Sequence, residues 1–209
     1  ASEIYKLMSS PKDKTKLLSD GAETYVYAKV AEELTGFEYS TYKGDAVEHG
    51  EEYEPAAVAE FERLTGLKGT PVGFIPYLSF AGGSPDGLIN LADNPAVKLD
   101  RDAGIEVKCP HNAAIHIEYL GLNTSADLLK AKPAYWWQIQ SCMLFTGRSV
   151  WYFISFSPYV PAPLHIGWIK IEADLEAQAR IVAKLGIALK AKTEILNMVK
   201  IKSETSRLI

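Results

Sequence analysis

The chain has 209 residues, 47% of them apolar, and a formal net charge of −4 at pH 7. That length and apolar content suffice for one sizeable core and predict a single domain. They exclude a membrane span, since no apolar run approaches roughly 20 residues, and the acidic balance excludes a broad basic surface.

The pattern predicts helices first. Ser2 reads as an N-cap with Glu3 in the first turn of a short helix ending near Met8. Ser9 to Lys16, with Pro11, reads as a loop. Ala22, Tyr25, Val26, Val30 and Leu34 recur at helical spacing, and Thr35-Gly36 stops that helix. A third helix is expected from about Asp45 to Leu64, closed by Thr65-Gly66, with Pro55 either kinking it or marking its real start. Val72 to Phe80 reads as a strand followed by a turn at Ala81-Gly82-Gly83. Leu88 to Leu91 and Ala103 to Cys109 read as strands joined by a polar loop. Ala113 to Leu120 is expected as a helix, Gly121 to Lys132 as an insertion, and Ala134 to Thr146 as an amphipathic helix ended by Gly147. Two strands, Val150 to Phe156 and Leu164 to Ile171, precede a long helix from Leu175 to about Val199. The sum is an α/β fold with a central mixed β-sheet flanked by helices. It is expected as a single domain over 1–209: a helical part at 1–68, a sheet core at 69–171 and a C-terminal helix at 172–209.

One constellation carries chemistry. Ser84-Pro85-Asp86-Gly87-Leu88 is followed by Gly104-Ile105-Glu106-Val107-Lys108-Cys109-Pro110. Strand side chains alternate, so Glu106 and Lys108 share a face roughly 7 Å apart, and Val107 points to the other layer. Taken alone, a Glu-x-Lys pair is a solvated face and Asp-Gly a turn. Here the charges sit between Ile105, Val107 and Cys109, where they are costly unless paired or metal-bound. With Asp86 on the neighbouring strand, two carboxylates and an ammonium converge. Carboxylate oxygens suit a hard cation such as Mg²⁺, and the lysine can orient or activate a water for phosphodiester hydrolysis. Cys109 and Cys142 are too few for a disulfide framework and point to a reducing cytoplasm. His49, His111, His116 and His165 offer no zinc spacing.

These blocks resemble the phage lambda exonuclease and YqaJ-type viral recombinase group of the PD-(D/E)xK nuclease superfamily. Ala1-Ser2-Glu3-Ile4 is similar to the end of that family's "TAS-E" segment, and His49-Gly50-Glu51-Glu52-Tyr53-Glu54-Pro55 to its "G-x-x-x-E" helix. The Asp86 and Glu106-x-Lys108 blocks are similar to its nuclease motifs, down to the Lys-Cys-Pro ending. Pro133 to Met143, then Thr146-Gly147-Arg148, is similar to the "Y-x-x-Q-x-Q-x-x-M" helix, and His116-x-Glu118-Tyr119-Leu120 to the YqaJ branch. The blocks run in order from Ser2 to about Pro158.

The resemblance implies roles. Asp86 and Glu106 would be metal ligands with the Val107 carbonyl, Glu54 would serve a second metal site, and Lys108 and Gln138 would flank the attacking water. Ser84 and Ser2 would bind a 5′-phosphate, aided by a helix N-terminus at Ser2 and by an arginine expected upstream of this sequence. Val47 would be a wedge against the terminal base pair. The implied protein is a 5′-to-3′ exodeoxyribonuclease using two Mg²⁺ ions, with Mn²⁺ as a substitute. It would act on double-stranded DNA ends in a bacterial cytoplasm, from a phage or prophage, as a ring-shaped homotrimer partnered by a single-strand annealing protein. A PD-(D/E)xK endonuclease of restriction or repair type, and a non-catalytic DNA-end-binding module, stay open as alternatives.

Overall fold

The computed structural model describes residues 1–37, 44–97 and 100–206. In chain order these form α1 (Tyr5–Met8), α2 (Asp20–Thr35), α3 (Asp45–Thr65), β1 (Ile75–Leu78), β2 (Ala81–Gly83), β3 (Gly87–Ile89), a 3₁₀ turn at Leu91–Asp93, and β4 (Ala103–Lys108). Then follow α4 (Ala113–Leu120), α5 (Ser125–Ala131), α6 (Pro133–Thr146), β5 (Val150–Phe156), β6 (Ile166–Glu172) and α7 (Leu175–Ser206). They fall into two compact units, Ala1–Ser2 with Tyr42–Asp174, and Glu3–Thr41 with Leu175–Ile209. The helical part expected over 1–68 is therefore divided, α3 going with the sheet and α1 and α2 with α7.

The sheet of the first unit runs β3-β4-β5-β6. β3 is antiparallel to β4, β4 parallel to β5, and β5 antiparallel to β6. This is the expected mixed sheet flanked by helices. Period-2 alternation sorts β4 onto two faces. Ala103, Ile105 and Val107 join Ala57 and Phe61 of α3 in one buried cluster. Gly104, Glu106 and Lys108 take the other face. A Cβ at Gly104 would collide with the Trp151 ring, so only glycine admits that indole. In the second unit, Ala22, Val26 and Val30 of α2 and Ile181 and Leu185 of α7 are buried.

Several boundaries differ from the sequence reading. α1 starts at Tyr5 with Ile4 in the N-cap position and no side-chain cap, so Ser2 caps no helix. Pro55 neither ends nor starts α3, which is helical through it. The proline forfeits one backbone bond, while Ala57 and Phe61, both buried, hold the following turns against the sheet. Ala81-Gly82-Gly83 is strand β2, paired antiparallel to β1, and not a turn. A Cβ at Gly82 would lie 2.6 Å from the Ile75 carbonyl oxygen, so this glycine permits close approach. Gly121 to Lys132 contains α5, begun by a capping box between Thr124 and Asp127. α7 runs beyond Val199 to Ser206. Lys98 and Leu99, within the expected loop after β3, lie outside the described residues.

Candidate active site

Strand register builds the centre. Gly87 pairs with Ile105, which sets Asp86 beside Glu106 just past the end of β3. There the Asp86 carboxylate takes over from the missing strand and accepts the Val107 N–H at 2.6 Å. In a ladder, one residue's N–H and C=O face the same neighbour, so the Val107 carbonyl faces the side of β4 that holds Asp86. Glu106 is fully buried, and one of its oxygens accepts from the Lys108 ammonium. Its other oxygen, Oε2, is buried with no hydrogen-bond partner among the described residues.

Burial therefore works against charge here. It pushes the Glu106 carboxyl up to about 7, with Asp86 and Glu54 adding to the rise and Lys108 opposing it. Burial also raises Asp86, against the pull of Lys108 and the Val107 N–H. Glu54 is raised by burial and then by Asp86. Burial disfavours the Lys108 charge too, but the Glu106 and Asp86 carboxylates outweigh it and hold the ammonium above its ordinary value. The Cys109 thiol is pushed up to about 12 by burial, which leaves no thiolate for nucleophilic work.

Above this centre opens a pocket of about 870 Å³. Its walls include Ser2, Val47, Glu54, Asp86, Val107, Lys108 and Gln138, while Glu106, hydrogen-bonded to Lys108, is fully buried and outside the lining. Seven of the nine expected site residues thus line one pocket, and Glu106 joins them through its bond to Lys108. Ser84 is exposed, between β2 and Asp86, and is not part of the lining. Val47, in the first turn of α3, is 44% exposed. α3 presents Val47, Gly50, Glu51 and Glu54, spaced three and four apart along one stripe.

Helix α6 adds a residue to which the sequence reading gave no role. Tyr135 lines the pocket, and its ring centroid lies 5.1 Å from the Lys108 ammonium. The cation–π contact holds Lys108 on its face without another charge. The available signal was its place one turn before Gln138. Gln140, by contrast, is buried. Its amide donates to the Glu172 carbonyl at 3.0 Å and its oxygen accepts from the Asp174 N–H at 2.9 Å. Arg148 also serves the frame: its guanidinium donates to the Ile89 and Ala103 carbonyls at 2.8 Å and to the Asn90 side chain at 2.6 Å. His116 bridges the Ser155 hydroxyl at 2.7 Å and the Leu164 carbonyl at 2.8 Å.

The donor set bears on which cation fits. The orphaned Glu106 oxygen, Asp86 and the Val107 carbonyl offer hard oxygen ligands at one spot. Among the described residues no three His, Cys, Asp or Glu side chains are grouped to hold one ion. Few protein ligands with the rest left to water is the habit of Mg²⁺.

A family profile decides the relationship: the YqaJ-like viral recombinase domain matches residues 1–149. The chain belongs to this family. This YqaJ-like chain is similar to an alkaline exonuclease, LHK-Exo, from Laribacter hongkongensis, with 27% identity and a TM-score of 0.76 over 98% of this chain and 92% of that one. The structure of LHK-Exo in complex with dAMP matches with the same figures. A phage-related exonuclease from Haemophilus somnus 129PT shares the fold at 19% identity, with a TM-score of 0.73 over 95% of this chain and 94% of that one. No curated protein matches the sequence.

Proposed function

We propose that this YqaJ-family chain is a metal-dependent exodeoxyribonuclease that digests one strand of a double-stranded DNA end, 5′ to 3′, and leaves single-stranded DNA for recombination. The observation that carries the reading is the buried, unpartnered oxygen of Glu106, whose other oxygen accepts from Lys108, with Lys108 and Asp86 lining an open pocket. The similarity to an alkaline exonuclease over nearly all of both chains supports exonuclease chemistry.

In this reading Asp86, Glu106 and the Val107 carbonyl hold Mg²⁺, or Mn²⁺ in its place. Glu54, separate from that group, would serve a second ion. When bound, such ions supply positive charge to the attacking and leaving oxygens of the phosphodiester. The side chains do the rest. Lys108, fixed by Glu106 and by the Tyr135 ring, orients the attacking water through its ammonium. Gln138, from the opposite wall, holds the same water by its amide. Val47 meets the terminal base pair at the pocket mouth, and Ser2 and Ser84 bind the 5′-phosphate. The working form is a ring-shaped homotrimer that hands its product to a single-strand annealing protein.

The test is digestion of linear and covalently closed circular duplex with Mg²⁺, followed by EDTA. Linear DNA should be consumed from its 5′ ends, faster with a 5′-phosphate than with a 5′-hydroxyl, and EDTA should stop the reaction. Efficient cutting of closed circles would favour an endonuclease instead. Tight binding of ends with no cleavage would leave a binding module.

A further inference from the structure

Beside the pocket lies a cluster that the mechanism does not use. Strands β4 and β5 are parallel, with Lys108 opposite Ser155. The segments that leave them therefore emerge at one end of the sheet, the end where open α/β sheets bind ligands. His111 follows β4 and Tyr159 follows β5. Between them stands His49 of α3, its ring 5.2 Å from that of His111 and edge-on to it, and 5.7 Å from that of Tyr159, nearly parallel. Tyr53, one helical turn on, closes the group with its centroid 4.6 Å from His49.

Two features separate this cluster from ordinary core. Tyr159 is 61% exposed and His111 is exposed, so two aromatic faces are presented outward. His49 is only 6% exposed, yet its Nε2 is buried with no partner among the described residues. A polar atom left so is expensive unless something brings a donor or acceptor to it. His111 itself lines the pocket, so the aromatic surface is continuous with the site. The pocket beside it carries Glu51, Glu54 and Asp86 against Lys108. Such a neighbourhood repels phosphate and leaves recognition to uncharged faces.

We propose that His111 and Tyr159, backed by the buried His49 ring, form a stacking platform for unpaired nucleobases of a DNA strand entering or leaving the pocket. The inference rests on the nuclease reading for its ligand. Every base has a π-face, so the platform would grip a separated strand regardless of sequence.

The experiment uses the full chain with Mg²⁺ and two fluorescent, nuclease-resistant phosphorothioate oligonucleotides. One is oligothymidylate and the other is the same backbone without bases. Wild type should prefer the base-bearing strand by roughly 5- to 150-fold in Kd. Tyr159→Ala should lose most of that preference, Tyr159→Phe should keep it, and His111→Ala should weaken it. Both positions are exposed, so folding should persist, which circular dichroism checks. Equal affinity of wild type for the two strands, or undiminished preference in Tyr159→Ala, would overturn the platform. Digestion of linear duplex by wild type is measured alongside. Its absence would defeat the nuclease reading, while the base preference would still decide the platform.

Discussion

At the scale of single residues, the centre sets burial against charge, and this yields separable expectations. Removing the proposed metal ligand or the lysine would take away charge stabilisation. Asp86→Ala and Lys108→Ala should each lower cleavage by at least about a hundredfold with the fold retained, measured as turnover on linear duplex beside a thermal melt. Near wild-type turnover in both would refute the site. Glu106 should behave differently in stability. Its folded value of about 7 lies above its ordinary 4.5, so the folded state binds the proton more tightly. Without divalent ions, stability from this group is fully present below about 4.5 and is lost as pH rises through about 7. Glu106→Gln can still accept from Lys108 but carries no charge. At pH 8 in EDTA it should be more stable than wild type, and inactive in Mg²⁺. A variant less stable than wild type under those conditions would show that burial is not what governs this carboxyl.

At the scale of elements, two devices hold the frame. Arg148 ties the end of β3 to the start of β4 through three acceptors. Arg148→Ala leaves them without a donor and should cost at least about 2 kcal/mol, seen as a lower urea midpoint with unchanged slope. Thr124 caps α5 by accepting the Asp127 N–H at 3.2 Å, and Thr124→Ala should cost about 0.5–2 kcal/mol. The long elements were legible because period and punctuation agree: α2 is opened by Ser19 and closed by Gly36 in the left-handed region at φ 66°. Short elements were not. α5 has seven residues, too few for a periodic signal, and its Thr-x-x-Asp cap looks like any polar loop. The β1–β2 reversal uses Ser79-Phe80, with no glycine or asparagine, while the glycines that suggested a turn sit where a backbone passes close. The Asp86–Glu106–Lys108 centre was readable because two short segments carry it. The aromatic cluster was not, because its rings come from three distant segments that only the parallel pairing of β4 and β5 unites.

At the scale of the molecule, no helix among the described residues is long and apolar enough to cross a membrane. The net charge of −4 offers no general attraction to DNA. The proposed ring would hold a threaded product by topology where charge does not. Mass from light scattering should be near three times that of the chain. Once threaded, the ring should tolerate added salt better than its initial loading does, because screening and counterion uptake weaken encounter but cannot open a closed link. A monodisperse monomer with distributive cleavage would rule this out.

The pocket lining holds Glu51, Glu54 and Asp86 against Lys108 alone. Empty of divalent ions, such a cavity is a barrier to a polyanion, so ion and DNA end become each other's effectors. Linkage makes that coupling reciprocal: DNA must tighten the hold on the ion by the factor by which the ion tightens the hold on DNA. Chelation should then release bound ends as well as halt hydrolysis. Asp86→Ala, with one repelling charge gone, should hold an end in EDTA at least as well as the intact protein does. Catalysis and retention would thus answer to a single variable, the free concentration of the cation.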